Sequence, residues 1–182
     1  GYNGGLLKAC VDIVGQGRCT DRLYRESKKM ADDYGTILNL HLAAVQEEVT
    51  ATRDKTGYRP VEHLYRLGVL GRNVSLTHMI HVADREIEML AETGANVVHC
   101  PTTALKLNYE LSSKGRFPEM LQHGVNVGLG GDAADCSNFA DMATRYNQPQ
   151  AAGPGGDLGV FPKEQMVPEF GNALAALKPG EI

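Results

Sequence analysis

A helix-like segment that ends at a glycine and is followed by a strand recurs four times in this chain of 182 residues. The glycines at these junctions are Gly35, Gly68, Gly94 and Gly124. Glycine commonly ends helices because it adopts the left-handed conformation without a steric penalty. Helices are predicted at about 21–34, 60–67, 84–94 and around 118–121, and strands at 36–42, 73–79, 96–100 and 125–130. Strands that alternate with helices predict an α/β fold with a parallel sheet.

The predicted strands have two chemically different faces. One face of the strand at 36–42 is aliphatic and comprises Leu38, Leu40 and Leu42, and the other comprises Ile37, Asn39 and His41. The strand at 125–130 divides in the same way, with Val125, Val127 and Leu129 opposite Asn126, Gly128 and Gly130. An open sheet that is covered by helices on both faces is apolar on both. The asymmetry therefore favours a barrel, whose small or polar lumen positions lead to the mouth of an active site.

Residues that can titrate or bind a metal stand at the ends of all four predicted strands. His41, His78 and His99 end the first three, and Asp132 follows the fourth. In parallel α/β folds, functional groups gather beyond the carboxyl ends of the strands. A single histidine of this kind is more often a hydrogen-bonded core residue, but four equivalent positions favour a shared metal or acid–base site.

The other histidines and acidic runs fit ordinary structural roles. His63 and His123 fall within predicted helices, where we expect them to be solvated, and His81 is expected to make a hydrogen bond in a loop. The charged run at 84–86 is predicted to be the solvated first turn of a helix. The pair at 47–48 either belongs to a similar turn or reaches the site from the loop after the strand at 36–42.

Composition excludes several classes of partner. The formal net charge is −4, so the clustered positive charge that non-specific nucleic-acid binding requires is not expected. No apolar run approaches the roughly 20 residues that span a bilayer.

The cysteines at 10, 19, 100 and 136 show no C-x-x-C spacing, and we expect free thiols in a reducing cytoplasm. The length predicts one domain, and the first residues suggest a start inside a longer reading frame or a processed end.

Four short motifs follow one another along the chain: NLHLA at 39–43, THMIH at 77–81, VVHCPT at 97–102 and GLGGD at 128–132, with Cys136-Ser137-Asn138 behind the last. In type, order and spacing they resemble the amidohydrolase superfamily. The branch they resemble contains atrazine chlorohydrolase and the S-adenosylhomocysteine and guanine deaminases. The resemblance covers about 21–142 and implies a metal-dependent (β/α)8 TIM barrel, of which this segment would supply strands five to eight only.

The resemblance also implies roles for individual residues. His41 resembles the metal ligand of the fifth strand, and Asp132 resembles the eighth-strand aspartate that is both a metal ligand and the catalytic base. His78 resembles the sixth-strand histidine beside the reactive water and the substrate, and is therefore a catalytic and substrate-binding candidate. His99 resembles a residue of the seventh-strand turn, which we expect to give structural support. Imidazole and carboxylate suit Zn²⁺ or another divalent metal such as Fe²⁺.

The function implied is hydrolysis of a C–N or C–Cl bond in a small aminated heterocycle. Hydroxide formed from water on the metal would attack the ring carbon, and ammonia, an amine or chloride would leave. Asp132 would accept the proton of the water, and His78 would donate a hydrogen bond to the developing charge. The family usually has a glutamate three residues after the fifth-strand histidine, where this chain has Ala44. Deamination, which needs its leaving amine protonated, would then require Glu47 or Glu48 as a substitute.

Other interpretations remain open at this point. A non-catalytic truncated homologue could fold by pairing with another chain, and an open-sheet binding module is disfavoured by the two unlike strand faces. Residues 1–146 are predicted to form the C-terminal half of the barrel, and 147–182 a linker with an abridged C-terminal segment. Because four strands leave two unpaired edges, we expect a homo-oligomer or completion by the missing barrel half.

Overall fold

The computed structural model describes residues 7–15 and 17–133. Its strands are β1 (Val11–Gly15), β2 (Leu38–Leu42), β3 (Val74–His78), β4 (Asn96–His99) and β5 (Val127–Leu129). Its helices are α1 (Asp21–Asp33), α2 (Gln46–Thr56), α3 (Pro60–Arg66), α4 (Asp84–Thr93), α5 (Pro101–Lys106), α6 (Leu111–Lys114) and α7 (Phe117–Gln122). The four predicted helix–strand pairs are therefore present, with boundaries shifted by a few residues.

Local capping explains where the main helices begin and end. Thr20 precedes α1, and its hydroxyl accepts a hydrogen bond from the backbone N–H of Leu23 at 3.2 Å. Pro60 occupies the first turn of α3, where its missing N–H would have no helical partner. Gly57 and Gly94 end α2 and α4 in the left-handed conformation.

The five strands form one parallel sheet in the order in which they occur in the chain. Doubly wound sheets instead reverse direction partway, so that strands distant in sequence become neighbours. Sequential parallel pairing is the order of a barrel wall, and it supports the barrel interpretation of the strand faces. It also places the carboxyl ends of all five strands along one edge.

The aliphatic strand face lies in the core. Leu38, Leu40 and Leu42 are buried, whereas Asn39 and His41 between them are only partly covered. The helices contribute the other half of this core through Ala31, Val49, Leu64, Ile87, Leu90, Phe117 and Met120. Helices therefore pack on the aliphatic face, and the mixed face is left for the lumen positions.

The predicted count of four strands is wrong, because β1 precedes them and pairs with β2. This strand is short and only partly buried, and it has a register shift between Ile13 and Gly15, so its periodicity is weak. The pair at 47–48 lies in the first turn of α2, as one of the two alternatives predicts, but the rest of this helix was not predicted because its residues are mostly polar and give no clear apolar stripe. An assignment to barrel strands five to eight alone is not confirmed.

The acidic run at 84–86 is not a solvated turn throughout, because Glu86 is only 1% exposed. Its carboxylate accepts hydrogen bonds from Arg59 Nε at 2.7 Å and from the backbone N–H groups of Val61 and Ala83, both at 2.9 Å. Arg59 also donates to the carbonyl oxygen of His81 at 2.8 Å. This buried ion pair joins the starts of α3 and α4 to the loop that follows β3.

The remaining histidines also find partners. The expectation that His63 is solvated is wrong, because its Nε2 lies 3.0 Å from Asp21 Oδ1 and its side chain is largely covered. His81 makes the expected loop hydrogen bond, which its Nε2 donates to the carbonyl oxygen of Tyr109 at 3.2 Å. His123 is exposed at the end of α7, as expected.

Gly15 allows β1 to approach β2 closely. It has a φ of +69°, and a Cβ at this position would overlap the carbonyl oxygen of His41. Gly15→Ala is therefore expected to destabilise the protein by about 1–3 kcal/mol, through backbone strain and overpacking together. Urea unfolding checks this. Gly35→Ala is the matched control, because Gly35 has a φ of +60° but nothing within 4 Å of a Cβ. Equal losses in the two variants would contradict the proposed overlap.

Some predictions fall outside the described residues. These are the boundary at 146, the segment 147–182 and the Cys136-Ser137-Asn138 motif. In the part of the chain that the structure covers, none of the helices has the length and apolar character to cross a membrane.

Candidate metal-dependent active site

Three of the residues singled out from the sequence meet at the carboxyl edge of the sheet. His41 lies in β2 and His78 is the last residue of β3, while Asp132 follows β5 by three residues. The parallel register pairs Leu42 with His78, which brings the ends of β2 and β3 together. The neighbouring strand ends supply a histidine pair and a carboxylate to one cluster.

The distances within this cluster are short. His78 Nε2 lies 3.2 Å from His41 Nδ1, and the two rings meet edge to face. The same Nε2 lies 3.9 Å from Asp132 Oδ2, and the Asp132 side chain is 15% exposed. His78 therefore stands between the two residues that the resemblance implies as metal ligands.

Unusual backbone conformations concentrate at these strand ends. Ala43, His78, Met79 and Asp132 all have positive φ angles although none is a glycine. The bend after β3 is held by backbone hydrogen bonds from Met79 to Leu42 and from Ile80 and His81 to Ala43. Non-glycine residues persist in this region only where the surrounding structure enforces it, and such positions cluster at functional sites.

Glu48 shapes the turn after β2 instead of reaching into the site. Its two carboxylate oxygens accept hydrogen bonds from the backbone N–H groups of Ala43 and Ala44, at 2.9 Å and 3.0 Å, and it is 8% exposed. Burial raises the pKa of the Glu48 carboxyl, and the two N–H donors oppose that shift. Glu47 is exposed on α2. The hypothesis that Glu48 substitutes for the glutamate missing at Ala44 is therefore wrong, because its oxygens are already engaged.

The His78 imidazole is neutral at physiological pH. Burial lowers its pKa to about 4, the neighbouring His41 lowers it further, and Asp132 opposes the shift. Its Nδ1 is buried and has no hydrogen-bond partner among residues 7–15 and 17–133. A neutral imidazole carries one donor and one acceptor nitrogen, so His78 can link two neighbours of opposite character.

His99 is enclosed in the core at the end of β4. Its ring stacks on Phe117 with centroids 3.8 Å apart, and burial lowers its pKa to about 3, with His78 contributing in the same direction. The supporting role that the sequence analysis gave to His99 stays a prediction.

The low pKa of His99 predicts that the protein loses stability in mild acid. The unfolded chain takes up a proton at His99 below about pH 6.5, whereas the folded chain resists protonation until about pH 3. Stability is therefore fully present above about pH 6.5 and falls as the pH drops below that value. Urea midpoints at about pH 7 and about pH 5 measure the loss. A similar drop in His99→Phe would show that His99 is not its source.

Two further residues, which the sequence alone did not assign to the site, lie beside this cluster. Cys100 is buried, and its Sγ lies with ligand atoms of His78 and Asp132 in a group whose members are within 4.8 Å of one another. Tyr109 had no assigned position, and its ring packs edge to face on His78 with centroids 5.5 Å apart. Cys100 directly follows His99 at the end of β4, so its position after a strand was the available signal.

The donor atoms suit a divalent cation. Imidazole nitrogen and carboxylate oxygen are common zinc ligands, and His41, His78 and Asp132 supply them from three strand ends. His41 turns Nδ1 toward His78, which leaves its Nε2 for a metal. The observed residues therefore fit the metal that the resemblance implies.

Comparison with known proteins agrees with this fold. Residues 1–161 match the Amidohydrolase family. The chain is 36% identical to a 5-methylthioadenosine/S-adenosylhomocysteine deaminase from Symbiobacterium thermophilum over 167 aligned residues. The alignment covers 88% of this chain and 37% of that protein. The chain spans about a third of the length of the curated relatives it matches.

Solved structures show the same architecture. An adenosine deaminase from Xanthomonas campestris with bound zinc superposes with a TM-score of 0.70 at 27% identity, covering 80% of this chain and 32% of that one. An atrazine chlorohydrolase TrzN variant from Arthrobacter aurescens TC1, complexed with zinc and atraton, gives 0.71 at 20% identity over 78% and 30% of the two chains. The latter likeness shows the fold alone. From the family match, together with these relatives, we conclude that the chain belongs to the amidohydrolase family.

Proposed function

We propose that this chain supplies catalytic residues of a metal-dependent hydrolase that displaces a leaving group from an electron-poor carbon of a heterocycle. The observation that carries the proposal is the convergence of His41, His78 and Asp132 at the carboxyl edge of the sheet, with contacts of 3.2 Å and 3.9 Å through His78 Nε2. Positive φ angles at His78 and Asp132 support a functional rather than a merely structural arrangement.

His41 and Asp132 would hold the cation. Two ligands are fewer than the four of a typical zinc site, so residues outside the described part would complete it. A bound Zn²⁺ or Fe²⁺ supplies a Lewis acid that brings the pKa of water to about 7. The similar adenosine deaminase from Xanthomonas campestris contains bound zinc, which supports zinc as the first metal to test.

Asp132 would act as the base that accepts the proton of the attacking water. Its side chain is 15% exposed, and among residues 7–15 and 17–133 its recorded polar contacts are the backbone N–H of Ala133 at 2.8 Å and the His78 nitrogen at 3.9 Å. Oδ1 accepts the Ala133 bond, which leaves Oδ2 available. A positioned general base of this kind typically accelerates a reaction by about 10²–10⁴-fold.

The histidine pair would fix which His78 nitrogen can donate. If His41 binds the cation through Nε2, its proton resides on Nδ1 and is donated to His78 Nε2 across the observed 3.2 Å. Neutral His78 then carries its own proton on Nδ1, the atom without a partner among the described residues. This N–H would stabilise the charge that develops on the substrate.

We propose a purine nucleoside of the adenosine type as the substrate. Relatives of this chain are named 5'-deoxyadenosine deaminase and 5-methylthioadenosine/S-adenosylhomocysteine deaminase. Hydroxide addition at the ring carbon that bears the amino group, followed by loss of ammonia, would be the corresponding reaction. The Tyr109 ring beside His78 is an aromatic surface close to the proposed reaction centre.

A second candidate is hydrolysis with loss of chloride, and the turn after β2 favours it. Ala44 replaces the family's proton-shuttling glutamate and is 2% exposed, and Glu48 is bonded to the backbone of Ala43 and Ala44. Within the described residues, the Glu48 carboxylate is therefore not free to protonate a leaving amine, and Glu47 is exposed on α2. Chloride departs without a proton, so this site would process it more readily than ammonia.

One assay separates the two candidates. The zinc-loaded protein is given 5'-methylthioadenosine and, separately, the analogue in which chlorine replaces the ring amino group. The first candidate predicts rapid ammonia release from the native protein. The second predicts weak ammonia release with rapid chloride release, and Ala44→Glu would then raise ammonia release by at least about tenfold. Ala51→Glu on the exposed side of α2 is the matched control. Rapid ammonia release from the native protein would refute the chloride candidate, and no release from either compound would favour a non-catalytic homologue.

The described sheet offers edges for completing the barrel. Among the residues that the structure covers, β1 pairs only with β2 and β5 only with β4. A (β/α)8 barrel has eight strands, and unpaired strand edges are prone to add further strands. We propose that the active protein carries additional strands on these edges, either from the missing barrel half or from a second copy of the chain.

A further inference from the structure

We propose that Cys100, His78 and Asp132 form a cation site of their own, which binds Zn²⁺ or another thiophilic divalent metal through sulfur, nitrogen and oxygen. Their ligand atoms lie within 4.8 Å of one another. The site shares His78 and Asp132 with the proposed active site but uses Cys100 in place of His41. Metal binding at this site does not depend on whether the protein hydrolyses a heterocycle.

Gly130 makes room for the thiol. Cys100 follows β4 and is 2% exposed, and a Cβ at position 130 would lie only 2.7 Å from its Sγ. The Gly130 N–H donates to the carbonyl oxygen of His99 at 2.7 Å, which holds the ends of β4 and β5 in this close contact. The missing side chain at 130 therefore lets the sulfur sit against the segment that leads to Asp132.

His78 can offer its Nε2 to a cation. This atom lies 3.9 Å from Asp132 Oδ2 and 3.2 Å from His41 Nδ1, so a cation beside Asp132 would bind at Nε2 and replace the contact with His41. His78 would then carry its ring proton on Nδ1, which has no partner within the described ranges. Its neighbours in the cluster are a thiol and a carboxylate, which are both metal ligands.

Small adjustments would bring the donors to coordination distance. Tetrahedral zinc with bonds of about 2.0–2.3 Å places neighbouring ligand atoms about 3.3–3.6 Å apart, so the widest separation needs to close by little more than about 1 Å. Asp132 follows β5 in a loop, and its side chain, 15% exposed, is the least buried of the three. The Cys100 thiol releases its proton to solvent when the metal binds, and no oxidation or reduction is involved.

Such a site would compete with the proposed chemistry. A cation held by Cys100 and His78 would occupy the Asp132 carboxylate, which is the proposed base. Thiophilic metals such as Cd²⁺, which favour sulfur ligands, would therefore be expected to settle here rather than on His41. Cys100 would therefore influence which divalent metals bind at this edge of the sheet.

Cobalt spectroscopy tests the proposal without reference to activity. Co²⁺ is titrated into the purified metal-free protein, and a saturable sulfur-to-cobalt charge-transfer band in the near ultraviolet is expected. Cys100→Ser is expected to lose this band, whereas Cys19→Ser, at another buried cysteine, and Cys10→Ser, at an exposed one, are expected to keep it. His41→Ala should also keep the band, because His41 is not part of the site. Circular dichroism establishes that each variant is folded.

A second variant, Asp132→Asn, tests the site independently in case Cys100→Ser does not fold. Asp132→Asn changes a loop residue after β5, and loss of this ligand should raise the cobalt dissociation constant at least about tenfold. A band that survives in Cys100→Ser, or cobalt binding by the native protein with no sulfur band, would overturn the proposal. Failure of the heterocycle assay alone would leave this result unchanged, so the two proposals can fail separately.

Discussion

Replacing Asp132 by Asn is expected to reduce hydrolysis by about 10²–10⁴-fold at saturating metal, since the proposed base then cannot accept a proton. The amide keeps an oxygen that can accept the bond from the Ala133 N–H, now made by Asp132 Oδ1 at 2.8 Å. The local loop is therefore expected to keep its conformation. Initial rates of ammonia and chloride release, measured with bound metal quantified on the same samples, give the effect.

Metal loss has to be distinguished from loss of the base. An Asp132→Asn protein that binds zinc only at raised concentration but remains inactive when saturated supports a role in proton transfer. Full activity on saturation would show that Asp132 is a ligand alone. Asp54→Asn is the control, because Asp54 is an exposed carboxylate within α2. It is expected to match the native rate.

Replacing Glu86 by Ala is expected to destabilise the fold by about 3 kcal/mol, the lower end of the range for breaking a buried ion pair, because Glu86 is buried but the Arg59 side chain is 31% exposed. The Arg59 guanidinium loses its 2.7 Å contact, and the N–H groups of Val61 and Ala83 lose their acceptor. Buried donors without partners account for much of this loss. Urea unfolding with an unchanged m-value measures it, since a shift of the midpoint then reports stability alone.

Glu88→Ala is the matched control in the same helix. Glu88 is exposed, and within the described part of the chain it pairs with Arg85 at 2.8 Å. Exposed pairs of this kind contribute little, so the control is expected to unfold close to the native midpoint. If Glu86→Ala unfolded together with Glu88→Ala, the buried network would have no stabilising role. Arg59→Met, which removes the other partner, is expected to destabilise in the same direction.

The Glu86 network also bears on the site. Arg59 holds the carbonyl oxygen of His81 at 2.8 Å, and His81 lies three residues after His78 in the bend that follows β3. The same bend carries the positive φ angles of His78 and Met79. The Arg59–Glu86 ion pair thus helps to keep the strained backbone after β3 in place.

The sequence by itself determined the alternation of helices and strands and the placement of the candidate residues. Glycines mark the ends of helices locally, and strand periodicity is a property of neighbouring residues, so both can be predicted without tertiary contacts. Parallel strands bring their carboxyl ends to one edge, which is why His41, His78 and Asp132 could be placed together in advance. The structure agrees on that placement.

Only the tertiary structure decided which acidic side chains are buried and what they hold. Glu48 and Glu86 look like members of solvated helix turns, yet both are buried acceptors of backbone N–H groups. The partner of Glu86 is Arg59, which lies 27 residues away in the chain. Cys100 Sγ lies near the Asp132 carboxylate, where the absence of a side chain at Gly130 leaves room for the sulfur. Burial of a charge depends on partners from distant segments, and no local pattern encodes that contact.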